Sequence, residues 1–257
     1  MDIENIDELF KHSFVISCND RRLAYFNIVM KLLGFPHVKH FQAFTPAIYD
    51  SYVKNDSSQL NKQERNTLNL FKDFICEYLI KNELWIKSNF EKKYFDNVCK
   101  LKYNNNNNYK ISYSCMSHLL CIYYAKLNNW SYILIFEDDT FPKKNAYKHV
   151  EDAIKYIHKQ QALHNEDVNF YLMATTKLIP KTIEKCINYD FVKADLIGIC
   201  GAYSYILSQK LYDRYIQISI LLFLESVECK LSTICRQNND AKCFYNAACG
   251  TIFIDFN

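Results

Sequence analysis

The chain has 257 residues, of which 49% are hydrophobic and 23% charged, with a formal net charge of +3. That is enough apolar chain for one sizeable core, and it excludes a disordered polymer. Both charge signs are spread along the sequence, so no broad basic face exists and nucleic acid is not expected as a partner.

Phe14-Val15-Ile16-Ser17-Cys18 reads as a short buried strand. Asn19 or Asp20 caps the helix that follows, whose apolar positions Leu23, Phe26, Met30 and Leu33 fall at helical spacing. Gly34 stops that helix, Pro36 keeps it stopped, and Val38 to Phe44 forms a second strand. A β-α-β opening predicts a parallel sheet, with the turn from Cys18 to Arg22 at its ligand-binding edge. Arg21 and Arg22 are then candidates to meet a phosphate or a base; the alternative is that both are solvated helix-surface charges.

Residues 50–110 are polar with helical spacing (Leu68, Phe71, Ile75, Tyr78 and Leu79) and end near five consecutive asparagines, Asn104 to Asn108. This stretch is read as a helical insertion or lid carrying a low-complexity loop. Met116, Leu119, Leu120, Tyr123, Tyr124 and Leu127 then make a wide apolar stripe, a core helix. Ser117 and His118 are adjacent on it, so their side chains diverge by about 100° and cannot form a nucleophile–base pair. On its own, His118 reads as a buried, hydrogen-bonded histidine.

That helix leads into Tyr132-Ile133-Leu134-Ile135-Phe136, a buried strand ending in Glu137-Asp138-Asp139. Three clustered carboxylates repel one another and require neutralisation. A hard divalent cation is the usual solution, and the carboxyl end of a strand in an open α/β sheet is where ligands bind. The other reading is an acidic strand-to-helix turn with Pro142 at the first position of the next helix. Tyr147, Val150, Ile154 and Ile157 mark an amphipathic helix and Val168 to Ala174 a strand, while Lys177 to Ala194 looks irregular. Ile197 to Leu207 is an apolar strand whose Gly198 and Gly201 suggest a bulge or close approach by a ligand. Ser208 is expected to cap a long helix to Leu224, followed by a short helix from Val227 and closing strands at Cys243 to Asn246 and Thr251 to Phe256.

The eleven cysteines include no Cys-x-x-Cys and no zinc spacing, so they are read as reduced and structural. The first twelve residues lack an apolar leader, and the longest apolar run, Ile218 to Leu224, is too short to span a membrane. A soluble, cytoplasmic protein is the expectation. The abundance of Asn, Lys, Tyr, Ile and Phe, beside 4 Gly and 4 Pro, follows AT-rich codons. That bias fits an AT-rich organism or a large DNA virus, in which case the location is host cytoplasm or virion.

Four blocks, in order, resemble the family 25 glycosyltransferases of the lipooligosaccharide and collagen galactosyltransferase type. They are Val15-Ile16-Ser17 with Arg21-Arg22 and Phe41-Gln42-Ala43-Phe44; Ser114-Cys115-Met116-Ser117-His118-Leu119; Ile135-Phe136-Glu137-Asp138-Asp139; and Gly201 to Ser208. Ser114 stands where the family has Gly, and Ala202-Tyr203 replaces Thr-His. The resemblance implies one GT-A type, Rossmann-like domain over residues 1–257, with a central mixed, mostly parallel sheet flanked by helices. It implies metal-dependent, inverting transfer of galactose or glucose from a UDP-sugar to a glycan, lipid-linked sugar or protein hydroxyl. In that reading Asp139, with Glu137, holds Mn²⁺ or Mg²⁺; Ser17, Arg21, Arg22, Ser117, His118, Glu137, Asp138 and Gly201 line the donor site; Glu228 or Asp195 is the general base. A catalytically inactive relative that binds a nucleotide sugar or a partner is the alternative, and a metal-dependent phosphohydrolase a more distant one.

Overall fold

The structure, a computed structural model, describes residues 3–80, 108–142, 145–164, 169–174, 177–185, 191–200, 204–222, 225–237, 243–246 and 253–255. In chain order the first half contains α1 (Ile6–Lys11), β1 (Ser13–Ser17), α2 (Asp20–Leu32), β2 (Lys39–Gln42), α3 (Pro46–Lys54), α4 (Lys62–Phe74), a π-helical extension (Ile75–Ile80) and α5 (Asn108–Leu127). The second half contains β3 (Tyr132–Glu137), β4 (Thr140–Pro142), α6 (Ala146–His164), β5 (Phe170–Ala174), β6 (Lys177–Lys185), β7 (Phe191–Cys200), β8 (Ser204–Ser208), a 3₁₀ turn (Gln209–Leu211), α7 (Tyr212–Leu221), α8 (Val227–Gln237), β9 (Cys243–Asn246) and β10 (Phe253–Asp255).

Local chemistry sets the helix ends. The Asn19 side chain accepts hydrogen bonds from the backbone amides of Arg21 and Arg22, so α2 begins where the sequence places its cap. Gly34, at φ +79°, lets the chain leave α2 through the left-handed region; nothing crowds the place of its missing Cβ, so the backbone angle alone favours glycine. Asn61 and Glu64 close a capping box on α4, and Thr45 caps α3 with Pro46 in the first turn.

One mixed sheet runs in the order β2-β1-β3-β8-β5-β9-β7-β6. Strands β2, β1, β3, β5, β9 and β6 share one direction, and β8 and β7 run against them. Alternation along β1 and β3 feeds two cores. Phe14, Ile16, Ile133 and Ile135 face α3, α4, α5, α7 and α8; Val15, Leu134 and Phe136 face α1, α2 and α6. The chain is therefore α/β with helices on both faces. Within residues 50–110, Leu68, Phe71, Phe74 and Ile75 pack into the larger core, while Asn104 to Asn107 lie outside the described residues.

Several sequence expectations are corrected. Pro142 does not open a helix: it ends β4, paired antiparallel with Phe253, and α6 starts at Ala146. A two-stranded ribbon tolerates a proline whose missing N–H faces away from the ladder. Residues 177–194, expected to be irregular, carry β6 and the start of β7, paired antiparallel from Lys177↔Cys200 to Lys185↔Val192 with register shifts on either side of Pro180. A proline at an irregularity of an edge strand costs the sheet little, which is why the sequence pattern hid a strand. The run from 197 to 207 is two strands, β7 and β8, that do not pair with each other. Ser208 makes no side-chain cap; its hydroxyl donates to Asn169 Oδ1 at 2.9 Å, and a 3₁₀ turn intervenes before α7.

Cys18, Cys76, Cys115, Cys121, Cys229 and Cys235 are free thiols. No helix among the described residues is long and apolar enough to cross a membrane.

Candidate functional site

The sheet order places β2 on one side of β1 and β3 on the other. Chain direction across the sheet thus reverses at β1, and the helices on either side of this reversal, α2 and α5, cover opposite faces. Ligands of open α/β sheets bind in the crevice outside the carboxyl ends of the strands near such a reversal. Here the crevice is a cleft of about 450 Å³, lined by Ser17, Cys18 and Arg22 after β1, by Phe44 and Thr45 after β2, by Ser114, Ser117 and His118 of α5, and by Glu137, Asp138 and Asp139.

The three acids divide between two partners, Arg22 for Asp138 and Asp139 and His118 for Glu137. Asp138 is buried; it accepts the Ser17 hydroxyl at 2.6 Å on one oxygen and stands 3.2 Å from the Arg22 guanidinium on the other. Asp139 accepts a hydrogen bond from Arg22 at 2.9 Å. One guanidinium therefore bridges two successive carboxylates, charge-assisted contacts of the stronger kind. The sequence leaves open what neutralises these acids; in this structure it is Arg22, brought in from the first turn of α2. The Arg22 side chain is 47% exposed, against 11% for Asp138 and 23% for Asp139, so the cation lies on the solvent side of the pair.

Glu137 turns the other way. His118, buried on α5, holds its Nε2 3.1 Å from Glu137 Oε1 and its Nδ1 2.8 Å from the Tyr205 hydroxyl of β8. Full burial pushes the Tyr205 phenol well above its ordinary range, so it stays protonated. The tautomer that serves all three groups has Tyr205 donating to Nδ1 and Nε2–H donating to Glu137. Ser117, its neighbour, diverges as expected: its hydroxyl donates to Tyr113 O and accepts from Phe44 N–H, both at 2.8 Å. That pair of bonds ties α5 to the end of β2 and fixes the cleft wall. Cys18 lines the cleft too, but burial, then the Asp138 charge, pushes its thiol up, away from the nucleophilic thiolate.

Of the residues singled out in the sequence, the cleft collects Ser17, Arg22, Ser117, His118, Glu137, Asp138 and Asp139. Arg21 is exposed and does not line it. Glu228 sits in the first turn of α8, which packs on α5 and α7, and is likewise absent from the lining. Asp195 lies on β7, with its side chain outside the described residues, as Gly201 is altogether. Tyr205, the brace behind His118, belongs to the Gly201 to Ser208 block of the sequence resemblance, but its role beside His118 is not legible in the sequence.

Among the described residues the lining carries three carboxylates and one arginine, so its formal charge is net negative with or without a proton on His118. It attracts cations and repels a bare diphosphate. Among the described residues no group of three acid, histidine or cysteine side chains is clustered as a metal cage. Asp138 and Asp139 nonetheless already converge on a single cation, and two carboxylates suffice where phosphate oxygens and water complete a hard ion's shell. The donor set therefore fits Mg²⁺ or Mn²⁺ once the guanidinium moves aside, with Glu137 committed to His118. No protein-family model matches this chain, and no curated protein matches it in sequence.

Proposed function

We propose that the cleft binds a nucleotide-diphosphate sugar and transfers its hexose to a hydroxyl acceptor with inversion, in a GT-A type domain. The observation that carries the reading is the placement of Glu137, Asp138 and Asp139 at the reversal point of the sheet, facing a cleft large enough for a small ligand. A divalent cation held by Asp138 and Asp139 would supply Lewis-acid stabilisation of the departing diphosphate. Arg22, which lines the cleft beside the acids, would supply a second positive group to the phosphates once displaced. Ser17 holds the Asp138 carboxylate in one orientation, and His118 does the same for Glu137. Galactose and glucose are the proposed sugars, UDP the proposed carrier, and a glycan, lipid-linked sugar or protein hydroxyl the proposed acceptor.

Inversion needs a base to take the acceptor proton. Glu228 stands outside the cleft lining, whereas Glu137 is the lining carboxylate that Arg22 does not hold. We assign the base role to Glu137, oriented by His118. The test is transfer to a generic hexose acceptor with the anomeric configuration of the product read by NMR. An inverted linkage that Glu137→Gln abolishes is expected; a retained anomer, or full activity in Glu137→Gln, would overturn the assignment. The second reading, a non-catalytic binder of a nucleotide sugar, is favoured by the Arg22 bridge, which neutralises the acids without any metal. Tight UDP binding by wild type with no turnover on any donor would decide for it.

A further inference from the structure

A second cavity of about 450 Å³ lies along the open edge of β2, where α4 and the end of α5 diverge over the sheet. Its chemistry differs from that of the cleft. Among the described residues five carboxamides line it, Gln42, Gln63, Asn66, Asn69 and Asn128, with one carboxylate, Asp73, the Thr67 hydroxyl and the His40 imidazole, and no lysine or arginine. Phe14 and Phe41 form its floor, with Tyr124 and Leu127 on the α5 side. The α4 positions Gln63, Asn66, Leu70 and Asp73 follow helical spacing, so one stripe of α4 faces the groove while Leu68, Phe71 and Phe74 beside it fill the core.

We propose that this groove binds a neutral, hydroxyl-rich saccharide chain. A carboxamide offers donors and an acceptor together, which matches hydroxyls that also donate and accept. Among the described lining residues there is no lysine or arginine, and the His40 ring is held by the Ser17 carbonyl at 3.1 Å, so the groove lacks the paired cations that phosphate, sulfate or nucleic acid sites use. The aromatic surface supplies the apolar face that a sugar ring's C–H side needs. Tyr124 is 36% exposed, and its ring is held edge-on at 5.7 Å from Phe14 and 5.6 Å from Trp130, a fixed platform at the groove wall. His40, which lines the groove, has its ring 3.1 Å from the carbonyl of Ser17, which lines the cleft. The inference stands on the lining of this groove and does not require the transferase reading of the cleft.

The experiment is a glycan array carrying neutral and anionic oligosaccharides, probed with the full chain. Wild type is expected to retain neutral oligosaccharides, with affinity lowered about tenfold or more in Tyr124→Ala by loss of the aromatic contact. The double variant Asn66→Ala/Asn69→Ala, at exposed helix positions, serves as the check that tolerates any folding defect of Tyr124→Ala. Retention of no neutral glycan, of anionic glycans only, or of the same glycans by both variants would overturn the proposal. Equal loss in Asp139→Asn would place the glycan in the cleft and overturn it as well. Nucleotide-sugar hydrolysis, measured separately, reports on the cleft whatever the array shows.

Discussion

Arg22→Gln removes the cation that bridges Asp138 and Asp139 while keeping a polar side chain on α2. At 3.2 Å the gross attraction to Asp138 alone is about 5 kcal/mol for an effective dielectric near 20. Half-exposure of the arginine, screening and lost side-chain freedom reduce the net value to about 1–2 kcal/mol. For a chain of this size that loss lowers Tm by roughly 3–6 °C. The same substitution removes the arginine charge that competes with a metal ion for Asp138 and Asp139, so the site should take Mn²⁺ more tightly, by about tenfold or ~1.4 kcal/mol. Electron paramagnetic resonance titration of free Mn²⁺ measures the affinity, and thermal unfolding with and without Mn²⁺ measures the stability. Wild type should gain less from the ion than the variant does, because in wild type the guanidinium must first be displaced. Unchanged Tm together with Mn²⁺ affinity within about twofold of wild type would refute Arg22 as the resident cation.

Ser17→Ala withdraws the 2.6 Å donor from buried Asp138, and should cost about 1–3 kcal/mol in urea unfolding. Phe136→Ala empties a fully buried position packed against Phe10 and Phe26, and should cost about 3–5 kcal/mol by the same measurement. The His12 imidazole is held below its ordinary 6.5, first by burial and then by Lys11 and Lys39. The unfolded chain therefore takes up that proton first as pH falls past 6.5, so stability drops on the acid side of that value. His12→Phe should lose less stability than wild type between neutral pH and that acid limb, read from Tm as a function of pH.

What the sequence revealed and what it hid divide along physical lines. Elements specified by local rules were legible: β1 by five apolar or small residues, the start of α2 by Asn19, its end by Gly34, and β3 by its apolar run into the acids. The divergence of Ser117 and His118 follows from helix geometry alone. Elements specified by partners were not. β6 carries Lys177, Pro180, Lys181 and Lys185, and becomes a strand only because β7 pairs with it at the edge of the sheet. Pro142 has the local credentials of a helix start, and a remote strand, β10, claims it instead. The site shows the same split. The acids stood out as a cluster needing a counter-charge, but the identity of that charge depended on Arg22, distant in sequence, reaching across from α2. The contact of Tyr205 with His118 and the edge groove were invisible for the same reason, since both exist only once strands and helices from separate parts of the chain are side by side.

The central claim is that the acidic strand end works on a nucleotide sugar. It is tested most directly by hydrolysis of a panel of nucleotide sugars, with and without Mn²⁺, by wild type and Asp139→Asn. Hydrolysis of one UDP-hexose that requires both Mn²⁺ and Asp139 is the predicted result. Neither binding nor hydrolysis of any nucleotide sugar, with or without the metal, would contradict it and leave Glu137 to Asp139 as a structural turn neutralised by Arg22.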